Sequence, residues 1–143
     1  MSPFNKITPA YVPVLTKMHQ MCFEKPWHEA DFTSLLQLPT TQGLINDKAF
    51  ILCSVCQDEA EILTLGVLPE AQRQGIGLKL IDQMQTHLKN LGVRALLLEV
   101  NAFNAPAKRL YEKAGFVQIA CRKGYYQTKE GAQDALILKK ELA

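Results

Sequence analysis

The sequence predicts a mixed α/β fold, in which a central β-sheet carries α-helices on both faces and forms three layers. Segments with the apolar spacing of helices alternate along the chain with short segments rich in strand-forming residues. The composition is that of a globular protein, since 48% of the residues are hydrophobic and 21% are charged. A chain of 143 residues can bury one core but is short for two domains, so we expect a single domain over residues 1–143.

Two helices are predicted near the start of the chain. Thr8 and Pro9 are typical of a helix N-terminus, and apolar residues then recur at helical spacing until about Phe23. A second, shorter helix is predicted from Glu29 to Leu38, because Pro39 cannot continue it.

A strand pair and a long helix follow. The segments Phe50 to Val55 and Glu61 to Val67 are rich in strand formers and are separated by polar residues, so we expect them to pair as a hairpin. From Gly75 to Leu91 the apolar residues follow steps of three and four, and Gly92 stands where a helix C-terminus favours glycine.

The last third of the chain is predicted to contain a buried strand, a helix and a strand pair. Val93 to Val100 is a nearly unbroken apolar segment, which indicates a central strand covered on both faces. Asn104 to Gly115 begins with an N-cap residue, carries an apolar stripe and ends in glycine, as a helix does. Val117 to Cys121 and Ala135 to Lys139 are predicted strands, joined by a polar loop from Lys123 to Gln133.

Charge and cysteine usage limit the possible classes of protein. The net charge of +2 comes from scattered Lys and Arg residues, so we expect no nucleic-acid partner. No segment is long and apolar enough to span a bilayer, and residues 1–7 do not have the pattern of a secretory signal, so we expect no membrane partner. Four cysteines in such a chain indicate free thiols, and we expect a cytoplasmic protein.

The segment Leu65 to Leu78 leads from a strand through a loop into the long helix and has the features of an anion site. N–H groups of a first helical turn lack intrahelical acceptors and point at any bound phosphate. Gly75 and Gly77 remove Cβ atoms that would keep a pyrophosphate away from the backbone, and Arg73 adds a cation. The alternative is that these glycines only form a turn.

Two better-known glycine motifs do not fit this loop. A Walker loop ends in Gly-Lys-Ser or Gly-Lys-Thr, whereas this one ends in Gly77-Leu78-Lys79. A dinucleotide-binding fingerprint needs a third glycine where Leu80 stands.

The same loop resembles the pyrophosphate loop of the GNAT superfamily of N-acetyltransferases. Gln72 to Gly77 has Gln or Arg followed at the family's spacing by two glycines, and Asn104 to Phe116 resembles the family's second conserved block, with Asn, Leu-Tyr and Gly-Phe in register. Pro26-Trp27, Leu98-Glu99-Val100 and Gly124-Tyr125-Tyr126 narrow the resemblance to RimI-like enzymes, which acetylate the N-terminal alanine of a ribosomal protein.

The resemblance implies acetyl-CoA as co-substrate and assigns residues to its binding. Leu65, Gly66 and Val67 would form the splayed strand that pairs with the pantetheine arm, although Gly66 stands where the family has alanine. Asn104 would contact the coenzyme near its thioester. The pyrophosphate would be held by the loop and first helical turn, formed by Arg73, Gln74, Gly75, Ile76, Gly77 and Leu78.

Acetyl transfer to an amine needs a base and an acid. An α-amine with a pKa near 8 is mostly protonated at pH 7, and Glu99, the one carboxylate in its apolar strand, can accept a proton from it. Tyr111, protonated at neutral pH, can protonate the departing thiolate, and the backbone N–H of Val67 can hold the developing oxyanion. Alternatively, Glu99 is a solvated strand-end residue and Tyr111 packs in the core.

Trp27, Tyr125 and Tyr126 are predicted to bind the acceptor, an extended peptide N-terminus held between their two loops. The alternative is that these aromatic residues are packing. Lysine side chains or small-molecule amines remain as alternative acceptors, because the cofactor half of the fold does not choose the acceptor. A non-catalytic acetyl-CoA-binding domain is a further alternative.

No metal site is predicted. Cys53 and Cys56 are three residues apart on a strand and therefore point to opposite faces, so we expect core cysteines rather than metal ligands. His19, His28 and His87 lie far apart in the sequence, so we expect each to be a surface or packing residue.

Overall fold

The computed structural model describes residues 3–142, so the ends of the predicted domain at residues 1, 2 and 143 lie outside it. It contains one mixed sheet, as predicted, and this sheet has seven strands in the order β1-β2-β3-β4-β5-β7-β6. The strands are β1 (Asn5–Lys6), β2 (Thr41–Ile45), β3 (Ala49–Cys56), β4 (Glu59–Val67), β5 (Ala95–Asn101), β6 (Val117–Thr128) and β7 (Gly131–Glu141). The α-helices are α1 (Val12–Cys22), α2 (Glu29–Leu36), α3 (Ile76–Asn90) and α4 (Ala105–Lys113).

Helices cover both faces of the sheet, which confirms the predicted three layers. One buried cluster joins the sheet to α3 and α4, and its helical members include Leu80, Met84 and Tyr111. The other joins the opposite face to α1 and α2, through residues such as Leu15 and Phe32. None of the helices within residues 3–142 is long and apolar enough to cross a membrane.

Strands β4 and β5 separate part of the way along their length. They are the parallel pair of the sheet, and their register extends only over Glu59↔Ala95, Ala60↔Leu96 and Glu61↔Leu97. From residue 62 onward β4 keeps its pairing with β3, apart from a bulge beside Cys53, while β5 keeps its pairing with β7. The sheet therefore opens into a gap in its centre.

The predicted polar loop from Lys123 to Gln133 is wrong, because most of it is strand. β6 runs to Thr128 and β7 starts at Gly131, so only a tight turn joins them. Most of β6 is exposed at the edge of the sheet, and its polar residues gave no alternating pattern. Pairing with β7 nevertheless satisfies much of its backbone on one side, although the register is irregular between Arg122 and Tyr126.

The N-terminal part of the chain also differs from the prediction. β1 and β2 were not predicted, since one has two residues and the other contains Gly43 in a short polar context. α2 ends at Leu36 rather than Leu38, because the residue before Pro39 is disfavoured in the helical region. The N-terminal helix starts as a 3₁₀ turn at Pro9–Tyr11 before α1.

Candidate functional site

A cleft of about 620 Å³ lies at the gap between β4 and β5. Its walls come from the end of β4, the start of α3 and one face of α4. Most of the residues that we predicted to bind the cofactor line it, namely Leu65, Gly66, Val67, Arg73, Gly75, Ile76, Gly77, Leu78 and Asn104. Gln74 is the exception, and its side-chain amide donates instead to the carbonyl oxygen of Glu70 at 3.4 Å.

The edge of β4 presents backbone groups to this cleft. The N–H of Leu68 donates to the carbonyl oxygen of Lys48 on the β3 side at 2.8 Å. Because successive residues of a strand direct their N–H groups to opposite edges, the N–H groups of Val67 and Leu65 point away from β3, toward the gap. The end of β4 is therefore an unpaired edge that an extended ligand can join as a strand.

The N-terminus of α3 forms the anion-binding end of the cleft. Gly75 is the N-cap residue at φ 78°, in the left-handed region, and no side chain caps the helix. Arg73 also has a positive φ, of 65°. The first-turn N–H groups and the helix dipole are consequently directed at the cleft, as phosphate binding requires.

The charges around the cleft suit a polyanion. Arg73, Arg109 and Lys113 line it, and no Asp or Glu is among its lining residues within the described chain. Sequence reasoning did not select Arg109 and Lys113, although their spacing of four residues places them on one face of α4. The donor set therefore fits a ligand that carries several phosphate groups.

Gly77 and Gly66 also pack closely against other side chains, and the predicted role of Gly77 in phosphate binding stays a prediction. A Cβ at Gly77 would lie 3.2 Å from both methyl carbons of Leu110, so this glycine lets α3 and α4 approach each other. A Cβ at Gly66 would lie 2.6 Å from Cζ of Phe50 and 3.0 Å from Sγ of Cys22. The Phe50 ring therefore fills the space beside Gly66 that an alanine methyl group would occupy.

Tyr111 and Asn104 are both held in place by α4. Tyr111 is buried and lines the cleft, and its ring packs edge-on against Phe116 with centroids 5.6 Å apart. Burial raises the pKa of Tyr111 well above its ordinary value, so the hydroxyl carries its proton at neutral pH. Asn104 is the N-cap of α4 and accepts a hydrogen bond from the N–H of Ala107 at 3.2 Å.

Glu99 lies on the face of the sheet opposite to Tyr111. Its neighbours Leu98 and Val100 point into the buried cluster that contains Tyr111, so the alternation of the strand directs Glu99 to the other face. There the side chain of Glu99 is 27% exposed and lines a second groove of about 530 Å³. Base and acid candidates thus approach the gap from opposite faces of the sheet.

Two side chains of β6 contact the Glu99 carboxylate. The hydroxyl of Tyr126 donates to Oε2 at 3.1 Å, and Nη1 of Arg122 lies 3.8 Å from Oε1. Burial, together with the neighbouring carboxylate of Glu99, raises the pKa of Tyr126 to about 12, so this hydroxyl is a donor at neutral pH. Tyr125 lines the same groove, with the guanidinium of Arg122 5.1 Å from the centre of its ring.

Trp27 does not line a groove together with Tyr125 in the described structure, and its role in binding the acceptor stays a prediction. Trp27 lines neither groove, and its half-buried indole packs on His19 and Phe32. Tyr125 and Tyr126 stand on β6 rather than in a loop. What the α1–α2 region contributes to the cleft is the pair Cys22 and Phe23, which sequence reasoning did not select.

The remaining cysteines and histidines form no metal site within the described residues. Cys53 is a core residue, but Cys56 is exposed, so the expectation of core cysteines is correct for only one of them. His19 is buried and hydrogen-bonded on both ring nitrogens, and His87 contacts the side chain of Gln42 at 2.7 Å.

Known proteins are similar to this chain in sequence and fold. The model of the acetyltransferase (GNAT) family matches residues 12–116, more than half of the chain. Ribosomal protein bS18-alanine N-acetyltransferase of Escherichia coli is 35% identical over an alignment of 145 residues that covers 96% of each chain. A crystal structure of the Escherichia coli enzyme matches with a TM-score of 0.91 at 32% identity, covering 100% of this chain and 95% of that one.

The fold also occurs in a plant enzyme with bound cofactor. Arabidopsis thaliana NAA60 in complex with acetyl-CoA matches with a TM-score of 0.82 at 20% identity, covering 98% of each chain. The family match and the Escherichia coli relative show that this chain belongs to the GNAT acetyltransferases, enzymes that transfer an acetyl group from acetyl-CoA.

Proposed function

We propose that this chain acetylates the N-terminal α-amine of a protein, and that its acceptor is the N-terminal alanine of ribosomal protein bS18. The observation that carries the proposal is the 35% identity, spread over 96% of both chains, to the Escherichia coli enzyme of that activity. An acceptor on the ribosome also places the enzyme in the cytoplasm.

The cofactor side of the proposal uses the cleft beside α3. The pyrophosphate lies on the first-turn N–H groups of α3, with Arg73 nearby, and the pantetheine arm pairs with the edge of β4. Acetyl-CoA supplies an acyl group activated as a thioester. In the gap, the N–H of Val67 donates to the thioester carbonyl oxygen as negative charge develops there.

Glu99 acts as the base on the acceptor side. Its carboxylate takes a proton from the α-ammonium group, and the neutral nitrogen then forms a bond to the acyl carbon. The hydroxyl of Tyr126 and the guanidinium of Arg122 hold the carboxylate in its orientation. The open groove beside Glu99 receives the residues that follow the acceptor amine.

Tyr111 acts as the acid on the cofactor side. When the carbon–sulfur bond breaks, its hydroxyl donates a proton to the departing sulfur, which leaves as the thiol. Its raised pKa keeps it protonated until that step. Over the whole reaction the acceptor nitrogen loses two protons, one to Glu99 before it attacks and one to water after the bond to carbon has formed, while the sulfur gains one from Tyr111. When Glu99 and Tyr111 are restored through water, one proton is released to solvent.

A peptide comparison tests the acceptor. The substrates are a bS18 N-terminal peptide beginning with alanine, the same peptide with a blocked α-amine, and free lysine. The proposal predicts turnover on the free peptide only. Equal rates on the free and blocked peptides would place the acetyl group on a side chain, and turnover on free lysine alone would indicate a small-amine acetyltransferase.

A further inference from the structure

His19 is a buried histidine that the proposed chemistry does not use. It lies on α1 and is 2% exposed. Its Nε2 is 3.0 Å from Oγ1 of Thr64 on β4, and its Nδ1 accepts a hydrogen bond from the backbone N–H of Trp27 at 3.1 Å. One imidazole ring therefore joins α1, β4 and the connection between α1 and α2, which comprises residues 23–28.

These two contacts define the protonation of the ring. Nδ1 accepts a hydrogen bond from Trp27, so the proton of the neutral ring is on Nε2 and is donated to Thr64. Burial lowers the pKa of His19 to about 4, so the ring is neutral at neutral pH. His19 thus has one donor and one acceptor, and both are engaged.

Four aromatic side chains, from the α1–α2 connection, α2 and β3, surround the imidazole. The rings of Phe23 and Trp27 stack on it, with centroids 4.3 and 5.2 Å from the imidazole centroid. The ring centroids of Phe32 and Phe50 lie 5.4 and 5.7 Å from it. The α1–α2 connection therefore contacts His19 through two rings and one backbone hydrogen bond. Moving or removing the imidazole would release all three contacts.

The surroundings of His19 border the cleft on the face of the sheet that carries Glu99, from which the proposed acceptor approaches. Phe23, which stacks on His19, lines the cleft and is 37% exposed. Thr64 directly precedes Leu65, the first residue of the β4 edge that lines the cleft. α1 and α2 cover the face of the sheet opposite to α3 and α4, so this border lies away from the proposed phosphate site.

We infer that His19 is a positioning residue that holds the α1–α2 connection against β4 and thereby shapes the acceptor side of the cleft. The inference rests on the proposed function, because its kinetic consequence is a change in the KM for the peptide acceptor. Its structural consequence, the placement of Trp27, does not depend on the acceptor.

Two substitutions of His19 separate hydrogen bonding from packing. His19→Phe keeps an aromatic ring in the stack but removes both hydrogen bonds. His19→Asn restores an acceptor oxygen near the place of Nδ1 and so retains the bond from Trp27. We expect His19→Phe to raise the peptide KM about fivefold or more, as the loss of a buried hydrogen bond predicts, with the acetyl-CoA KM changed less than about twofold. His19→Asn should recover most of the peptide KM.

Three kinetic results would overturn the inference. They are an unchanged peptide KM in His19→Phe, an equal rise of both KM values, and a His19→Asn variant no better than His19→Phe. If His19→Phe does not fold, Thr64→Val and Thr64→Ser provide a matched pair, since only serine keeps the hydroxyl that accepts from Nε2. Thr64→Val should then raise the peptide KM while Thr64→Ser stays near wild type, and equal behaviour of the two would also overturn the inference.

Tryptophan fluorescence tests the inference without any acceptor. Trp27 is the one tryptophan of the sequence, so its emission reports the placement of the α1–α2 connection. His19→Phe should shift that emission to the red and increase its quenching by acrylamide, whereas unchanged emission would overturn the inference. If the wild-type enzyme acetylates no N-terminal peptide, the proposed function fails, and the emission result still decides the role of His19.

Discussion

Replacing Gly66 by alanine should destabilise this enzyme, even though alanine is the residue that the family resemblance leads one to expect there. The new Cβ would lie 2.6 and 2.7 Å from two carbons of the Phe50 ring, and Phe50 is fully buried. The ring cannot swing into solvent, so it or the strand must move.

Two opposing effects determine the size of the change. Gly66 does not have a positive φ, so alanine alone would be expected to stabilise the strand by about 0.5–1 kcal/mol. Overpacking a tight core costs about 1–3 kcal/mol. We therefore expect Gly66→Ala to lower the free energy of unfolding by about 1–2 kcal/mol.

Urea unfolding, followed by far-UV circular dichroism, measures this change. The matched control is the double variant Gly66→Ala with Phe50→Leu, because the smaller side chain makes room for the new methyl group. Its loss should be smaller than the sum of the two single losses, with a coupling of about 0.5–3 kcal/mol. A Gly66→Ala enzyme at least as stable as wild type, or losses that simply add, would refute the steric reasoning.

Three further predictions concern catalysis and cofactor binding. Glu99→Gln should lower kcat about 100-fold or more near neutral pH. The remaining rate should rise about tenfold per pH unit until the α-amine is neutral near pH 8, and a rate that does not change with pH would count against Glu99 as the base. Tyr111→Phe should lower kcat about 100-fold while the acetyl-CoA KM stays within about twofold. Because the raised pKa of Tyr111 keeps the hydroxyl protonated, this loss of kcat should be constant from about pH 6 to 9. Wild-type turnover would show that the tyrosine only packs in the core. Arg109→Gln and Lys113→Gln should each raise the acetyl-CoA KM by about two- to fivefold at low salt and less at high salt. The control Lys108→Gln, on the same helix but outside the cleft, should leave this KM unchanged. Equal KM values for all three variants would show that Arg109 and Lys113 do not contact the cofactor.

The long periodic elements were predictable because their pattern is local. α3 and β5 were placed to within about two residues, since amphipathic spacing and an unbroken apolar segment each indicate one structure. The cap of α4 by Asn104 was also predictable, because it depends on a residue type and its position relative to the helix start.

What could not be predicted depends on pairing between distant residues. The strand character of residues 126–128 comes from pairing with β7, not from their own polar composition. Gly66 and Phe50 are complementary across two strands, which no single segment reveals. The gap between β4 and β5 depends on where their pairing stops.

The candidate site was predictable in its motifs but not in its arrangement. The cofactor loop could be identified from its resemblance to the family's pyrophosphate loop, and most of it lines the cleft. The separation of Glu99 and Tyr111 onto opposite faces follows from strand alternation once β5 is fixed in the sheet. The packing of Trp27 on His19 could not be predicted, because an indole near a predicted loop gives no sign of which side chain it packs against.

The most direct test of the proposed function uses full-length ribosomal protein bS18 with a free N-terminus as the acceptor. The enzyme and acetyl-CoA are added, and fragmentation mass spectrometry locates the acetyl group. We expect one acetyl group, on the α-amine of the N-terminal alanine, and an initial rate of acetylation about 100-fold lower when Glu99→Gln enzyme is used near neutral pH. Acetylation of lysine side chains with an unmodified N-terminus would contradict the proposed function.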